Sequence, residues 1–200
     1  MKKANLVPKR TAKWHPKTTK QAAGARFAPN LLKQDFSAGQ PNEKWAADIT
    51  YIDTAEGWLY LAIILDLFSR RVVGWSMSDS LDSSLAEKPW NMALINRSPD
   101  KGLIHHSDRG CQYTSKQFRE RLAQAQCVAS MSGTGNCYDN AVTESFFATL
   151  KGECATEQFK SKAEARSTIF EYIEVWYNRV RLHSTLGYCS PAEFEHFSRQ

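Results

Sequence analysis

Three apolar runs follow one another at close quarters, Trp45 to Ile52, Trp58 to Leu65 and Arg71 to Met77, and they restrict the fold more than any other feature of the chain. Each is of strand length and rich in β-branched and aromatic residues. The links are short, with Glu56-Gly57 in the first and Asp66 to Arg70 in the second. Strands so closely spaced pair antiparallel, because a parallel return needs a crossover of about a dozen residues. The region reads as a three-stranded meander with Asp48 near the centre of its first strand.

The rest of the chain alternates. Asp82 or Ser83 opens a helix to about Ile95, with Pro89 predicting a kink or a late start. Leu103 to His106 is a fourth strand that ends at Asp108, and Thr114 or Ser115 opens a helix through about Gln126. Cys127 to Met131 is a fifth strand, followed by a glycine-rich loop, Ser132 to Asn136, whose composition predicts mobility. Asp139 or Asn140 caps a helix through about Gly152. Lys162 to Asn178 forms a long amphipathic helix with Ile169, Ile173, Trp176 and Tyr177 on its apolar side. The order βββ-α-β-α-β-α-α is that of an α/β protein with a mixed five-stranded sheet flanked by helices, the ribonuclease H-like arrangement.

Charge divides the chain. Residues 1 to 33 carry nine Lys or Arg and no acid, whereas the remainder is mildly acidic, within a total of +5. A basic arm on an acidic body favours a polyanion partner, since each phosphate neutralised releases counterions. The other open reading is a merely soluble, disordered arm. Lys9, Arg10, Lys13, Lys17, Lys20 and Arg26 are the arm's candidate phosphate contacts. Five cysteines with no C-x-x-C spacing argue against a disulfide framework or zinc knuckle and for a reducing cytosol. No apolar run reaches the roughly 18 residues of a membrane span.

A lone ionised carboxylate inside an apolar strand costs several kcal/mol unless it is paired or metal-bound, so Asp48 needs a reason. In the ribonuclease H-like order that the element order matches, the centre of the first strand lies beside the end of the fourth. Asp108 is thereby brought to Asp48, and Glu144, near the start of the helix after the mobile loop, leans over the same edge. Oxygen-only ligands suit Mg²⁺ or Mn²⁺. Two such ions about 3.5 to 4 Å apart can activate a nucleophile and stabilise a leaving oxygen in phosphoryl transfer, with Asp48 bridging them. Lys151, seven residues after Glu144, returns to nearly the same helical face; gripping a phosphate and an ordinary exposed lysine are both open.

His105, His106 and Cys111 do not make a zinc site, because neighbouring strand residues point to opposite faces. Asp66 reads as a turn cap in preference to a fourth ligand. Arg179, Arg181 and His183 form a basic cluster that either contacts DNA backbone or clasps the last helix onto the core. Trp58, Trp75 and Trp176 read as core.

Trp45-Ala46-Ala47-Asp48-Ile49-Thr50-Tyr51-Ile52, the segment His105 to Tyr113, Asn136 to Ala141, Glu144-Ser145-Phe146-Phe147 with Leu150-Lys151, and Tyr177-Asn178-Arg179 with Arg181, His183, Leu186-Gly187-Tyr188 and Ser190-Pro191 together resemble the integrase-core transposases of the insertion sequence three family, the OrfB product, related to retroviral integrases. The resemblance covers about residues 28 to 197. It implies a DDE-type polynucleotidyl transferase that cleaves DNA and joins a 3′-hydroxyl to a target phosphodiester. Asp48, Asp108 and Glu144 would be the catalytic metal ligands and Lys151 their basic companion, with two Mg²⁺ or Mn²⁺ ions. It further implies a homo-oligomer on DNA, an upstream OrfA product as a further partner, and a bacterial cytoplasmic, nucleoid-associated location.

The domains then read as a basic arm at 1–42, an edge or remnant of a helix-turn-helix region, an integrase-type catalytic core at 43–183 and a tail at 184–200. Thr134 stands where a basic residue is common in the family and Cys111 where Ser is common, which predicts weaker DNA contact at the first and little effect at the second. The alternatives are a truncated, transposition-incompetent DNA-binding remnant and a hydrolytic nuclease of the same fold.

Overall fold

A computed structural model describes residues 27–134 and 136–198. Five strands form one sheet in the order β3-β2-β1-β4-β5. They are β1 (Lys44–Ile52), β2 (Leu59–Asp66), β3 (Val72–Ser78), β4 (Ile104–Ser107) and β5 (Val128–Met131). The first three pair antiparallel, β4 runs parallel to β1, and β5 parallel to β4. The expected mixed sheet is present. Among the described residues no helix is long and apolar enough to cross a membrane.

Helices α1 (Ser84–Arg97) and α3 (Lys116–Gln124) cover one face, where Trp45, Ala47 and Ile64 meet Trp90, Phe118 and Leu122. On the other face Ile52, Leu59, Leu61 and Ile63 meet Phe146 and Leu150 of α4 (Ala141–Glu153) and Ile169 of α5 (Lys162–Glu171). Strand β2 is buried on both faces, which is why its sequence is a continuous apolar run instead of an alternating one. A short helix α2 (Cys111–Thr114) and a C-terminal helix α6 (Pro191–Phe197) complete the fold.

Pro89 sits inside α1 rather than delaying its start. The carbonyl that would have accepted its missing N–H belongs to Leu85, and the Ser76 hydroxyl of β3 donates to that oxygen at 3.0 Å. The orphaned acceptor is satisfied from the sheet. Gly74 makes the approach possible, since a Cβ there would lie 2.1 Å from the Pro89 carbonyl oxygen.

The long helix beginning at Lys162 changes pitch, continuing from α5 as a π-helical segment over Tyr172–Tyr177. Ile169, Ile173 and Tyr177 face the core as expected, but Trp176 does not, being 46% exposed. The widened turn rotates it outward: the Asn178 N–H bonds to the Ile173 carbonyl, five residues back. Trp58 is exposed as well and Trp75 is half-buried, so neither lies in the core interior. The Asn178 side chain donates to the Val72 carbonyl at 3.0 Å and accepts from its N–H at 2.9 Å, closing the outer edge of β3.

Residues after 183 are bound into the same body. Glu195 of α6 accepts from Ser69, Arg71 and both terminal nitrogens of Arg97, the last two at 2.7 Å. Ser190 caps that helix in a reciprocal capping box with Glu193.

Candidate active site

Strand β4 ends at Ser107, paired with Ala47, while β1 runs on to Ile52. Beyond Ala47 the β4-facing edge of β1 therefore has no strand partner, and the cleft opens there. Asp48 and Asp108 are the next residue on each strand. Asp48 accepts from the Ile49 N–H at 2.8 Å, and the Thr143 hydroxyl of α4 lies 3.3 Å from its other oxygen. Asp108 accepts from the Gly110 N–H at 2.9 Å. Space is tight at Gly110: a Cβ there would meet Asp108 Oδ1 at 3.0 Å and Gln112 Oε1 at 3.1 Å and press on the carboxylate.

The electrostatics are those of a site short of positive charge. Burial first, then the Asp108 charge and, more weakly, that of Glu144 push the Asp48 carboxyl up to about 8. Tyr113, buried below the pair, is held well above its ordinary value by burial and by both aspartates. Glu144 lies in the first turn of α4 and is exposed. Among the described residues no group of three His, Cys, Asp or Glu side chains forms a ready-made metal nest. The all-oxygen donors nevertheless fit a hard divalent cation, whose charge would relieve the repulsion that raises Asp48.

Lys151 lies with its Nζ 4.5 Å from the centre of the Tyr51 ring. Burial lowers its proton affinity while the Asp48 charge raises it. Tyr51 in turn meets Trp58 edge-on at 5.0 Å.

The histidines behave as their alternation demands. His105 packs among Trp90, Phe118 and Tyr113, and burial pushes it down to about 3. His106 points the other way, to the hydroxyls of Ser130 and Ser132. Asp66 accepts from the N–H groups of Asn42, Phe68 and Ser69 and from the Trp45 indole, which makes it a turn cap.

The cap of the helix carrying Glu144 differs from expectation. Neither Asp139 nor Asn140 caps α4 by a side-chain bond; Asn136 instead caps a 3-10 turn at Cys137–Asn140 that leads into it. Asp139 accepts from the Gly133 N–H at 2.7 Å and from Asn136 at 2.9 Å, tying down the loop whose composition predicted mobility.

In the basic cluster, Arg181 pairs with Glu153 at 2.8 Å and His183 packs on Tyr177, contacts that support the clasp. Arg179 is exposed. Lys9, Arg10, Lys13, Lys17, Lys20 and Arg26 lie outside the described residues. Sequence reasoning passed over Arg109 and Tyr113. Their signal was position alone: Arg109 follows Asp108 directly, and Tyr113 lies one helical turn further on.

The chain matches two models described as "Integrase core domain", over residues 38–137 and 113–191. It is 47% identical over 196 residues to the transposase InsF for insertion sequence IS3A of Escherichia coli (strain K12), spanning 98% of this chain and 68% of that protein. It is also 47% identical over 171 residues to the transposase for insertion sequence element IS904 of Lactococcus lactis, over 85% of this chain and 68% of the relative.

Solved structures share the fold at low identity. A chain of a simian T-cell lymphotropic virus intasome matches with TM-score 0.67 at 15% identity, over 88% of this chain and 61% of that one. The HTLV-2 integrase catalytic core domain in complex with magnesium matches with TM-score 0.60 at 16% identity, over 80% of this chain and all of its own. The five-stranded mixed sheet with an acidic pair at the open end of β1 and β4 is thus an integrase core, and the chain belongs to the IS3 family of insertion-sequence transposases.

Proposed function

We propose that Asp48, Asp108 and Glu144 are the catalytic carboxylates of a divalent-metal-dependent DNA cleavage and strand-transfer reaction, in which a 3′-hydroxyl attacks a target phosphodiester. One observation carries the reading: Asp48 and Asp108 are neighbours at the open edge of the sheet, where burial and then the Asp108 charge raise Asp48 to about 8. Such an arrangement is electrostatically costly unless a cation joins it.

Asp48, Asp108 and Glu144 would hold the metal, Mg²⁺ or Mn²⁺, and two ions suit the chemistry. When bound, the metal supplies charge stabilisation and lowers the proton affinity of the attacking hydroxyl. Thr143 anchors the first turn of α4 to Asp48, which sets where Glu144 emerges. Lys151 presents an ammonium to a phosphate beside the carboxylates. DNA is the substrate and the partner, and bringing two element ends to one target calls for a homo-oligomer on DNA. The basic arm at 1–42 supplies phosphate contacts to a catalytic core centred on residues 43–183.

The test is a Mg²⁺-dependent joining assay using duplexes with the element's own ends. Asp48→Asn, Asp108→Asn and Glu144→Gln should each abolish nicking and joining while folding and DNA binding persist. Joining by any of the three overturns the assignment. Cleavage without joining by the unaltered protein replaces transfer with hydrolysis.

A further inference from the structure

The loop after β5, from Ser132 to Asn136, is held from two sides by opposite charges. From below, Asp139, 2% exposed, takes the Gly133 and Asn136 donors. From above, Arg109 donates from Nε to the Ser132 carbonyl at 2.8 Å and from a terminal nitrogen to the Thr134 hydroxyl at 2.5 Å. The loop joins β5 to the turn before α4, and thus lies between Asp108 and Glu144 along the chain. Arg109, one residue past Asp108, bridges from the first carboxylate's strand end to the segment that delivers the second.

The other face of the guanidinium is taken by Phe27, whose ring centre lies 4.7 Å from Arg109 Cζ. Residues 27 to 34 run along the outer edge of β5: the Met131 N–H bonds to the Pro29 carbonyl, Leu31 N–H to the Ser130 hydroxyl, and the Gln34 amide to Asp139. Leu32 is buried against Ala46 and Leu67, which anchors the stretch. Phe27, which directly follows the basic residues 1–26 in the sequence, is thus seated beside the Ser132–Thr134 segment.

We infer that Arg109 is a positioning residue that fixes the Ser132–Asn136 loop, and with it Glu144, relative to Asp108, and that Phe27 at the root of the basic arm holds Arg109 in that pose. The inference rests on the reading of Asp108 and Glu144 as catalytic. Phe27 is 38% exposed, so replacing it with alanine leaves the core without a cavity.

The experiment measures turnover and KM for an element-end duplex in the joining assay, with Mg²⁺ titrated, for Phe27→Ala, Phe27→Tyr, Arg109→Lys and Arg109→Gln. Misplacing a catalytic group by about 1 Å costs on the order of 100-fold. Phe27→Ala and Arg109→Gln should therefore lose ~10- to 100-fold in turnover, with KM for DNA little changed and more Mg²⁺ needed for half-maximal rate. Phe27→Tyr, which keeps the ring, should recover. Arg109→Lys should not, because an ammonium lacks the forked pair of donors.

A raised KM with unchanged turnover would make both residues DNA contacts and overturn the inference, as would wild-type turnover in Phe27→Ala and Arg109→Gln. Joining by Glu144→Gln in the same assay strikes instead at the underlying carboxylate assignment. Thermal unfolding of each variant identifies any that fails to fold, and Phe27→Ala keeps the test decisive if Arg109→Gln does.

Discussion

Asp48 and Asp108 stand side by side one residue beyond the last register pair of two parallel strands, Ala47 with Ser107. Neither residue's own segment requires a carboxylate, and together they repel. Because the Asp48 value rises on folding, its proton stabilises the folded state fully below the ordinary carboxylate value. That contribution declines as pH rises and is gone above about 8. In chelator, thermal stability should fall between about pH 5 and about pH 8, and Asp48→Asn should flatten the profile. Added Mg²⁺ should restore stability most at the alkaline end, where it no longer competes with the proton. Thermal melts across pH with and without Mg²⁺ read this directly.

Glu195 closes a charge network that is buried at Asp66 and Arg97 and partly exposed at Arg71. Arg97 lies closer to Glu195, at 2.7 Å, than to Asp66, at 3.6 Å. Burial raises both acids and prevails at Asp66, whereas at Glu195 the closer Arg97 helps to outweigh it. Arg97, Ser69 and Arg71 hold Glu195 below its usual value despite its burial, while burial keeps Asp66 above. Breaking a buried pair by removing one partner costs about 3 to 5 kcal/mol. Glu195→Ala should lower unfolding stability in urea by about that amount, and Glu195→Gln by less.

Asn178 serves β3 as a substitute strand partner at both hydrogen-bonding groups of Val72. Its own carbonyl accepts from the Ala192 N–H at the start of α6, so one residue ties an edge strand to the C-terminal helix. Asn178→Ala leaves buried backbone groups unpaired, at about 1 to 3 kcal/mol each. Denaturant melts should show that destabilisation with the cleft's DNA affinity unchanged, whereas Asn178→Asp should lose the bond to the carbonyl and fare no better.

Salt titration separates the two classes of basic residue. Removing residues 1–26 should make the slope of log affinity against log salt shallower by about 0.9 for each duplex phosphate that the arm no longer neutralises. Arg181→Gln should leave that slope where it was and lower the melting temperature slightly, since a partly exposed ion pair is worth at most about 1 kcal/mol. A shallower slope for Arg181→Gln would return it to the DNA-binding set.

Strand order was legible because the apolar periodicities and short links of residues 45 to 77 leave few ways to pair, and the acidic site followed from that order. Asp48 announced itself by being an acid in an apolar run. Arg109 and Glu195 gave no such signal. A charged residue in a polar stretch looks like any solvated one, and its partners lie 25 and 98 residues away for the bonds to Thr134 and Arg97. The π-helical segment was equally hidden, because a change of pitch moves Trp176 off a face that regular periodicity assigns to it. What local pattern cannot carry is long-range charge pairing and departures from a uniform helical repeat.

The Glu195 network also orders events in time. Asp66, Arg71 and Arg97 are made long before Glu195, and without Glu195 Arg97 keeps Asp66 at 3.6 Å while Arg71 loses its ion-pair partner. The charged corner of the sheet thus completes its pairing only when α6 is in place. A chain cut back before α6 should therefore be more open to proteases at the β2–β3 turn than one that carries Glu195.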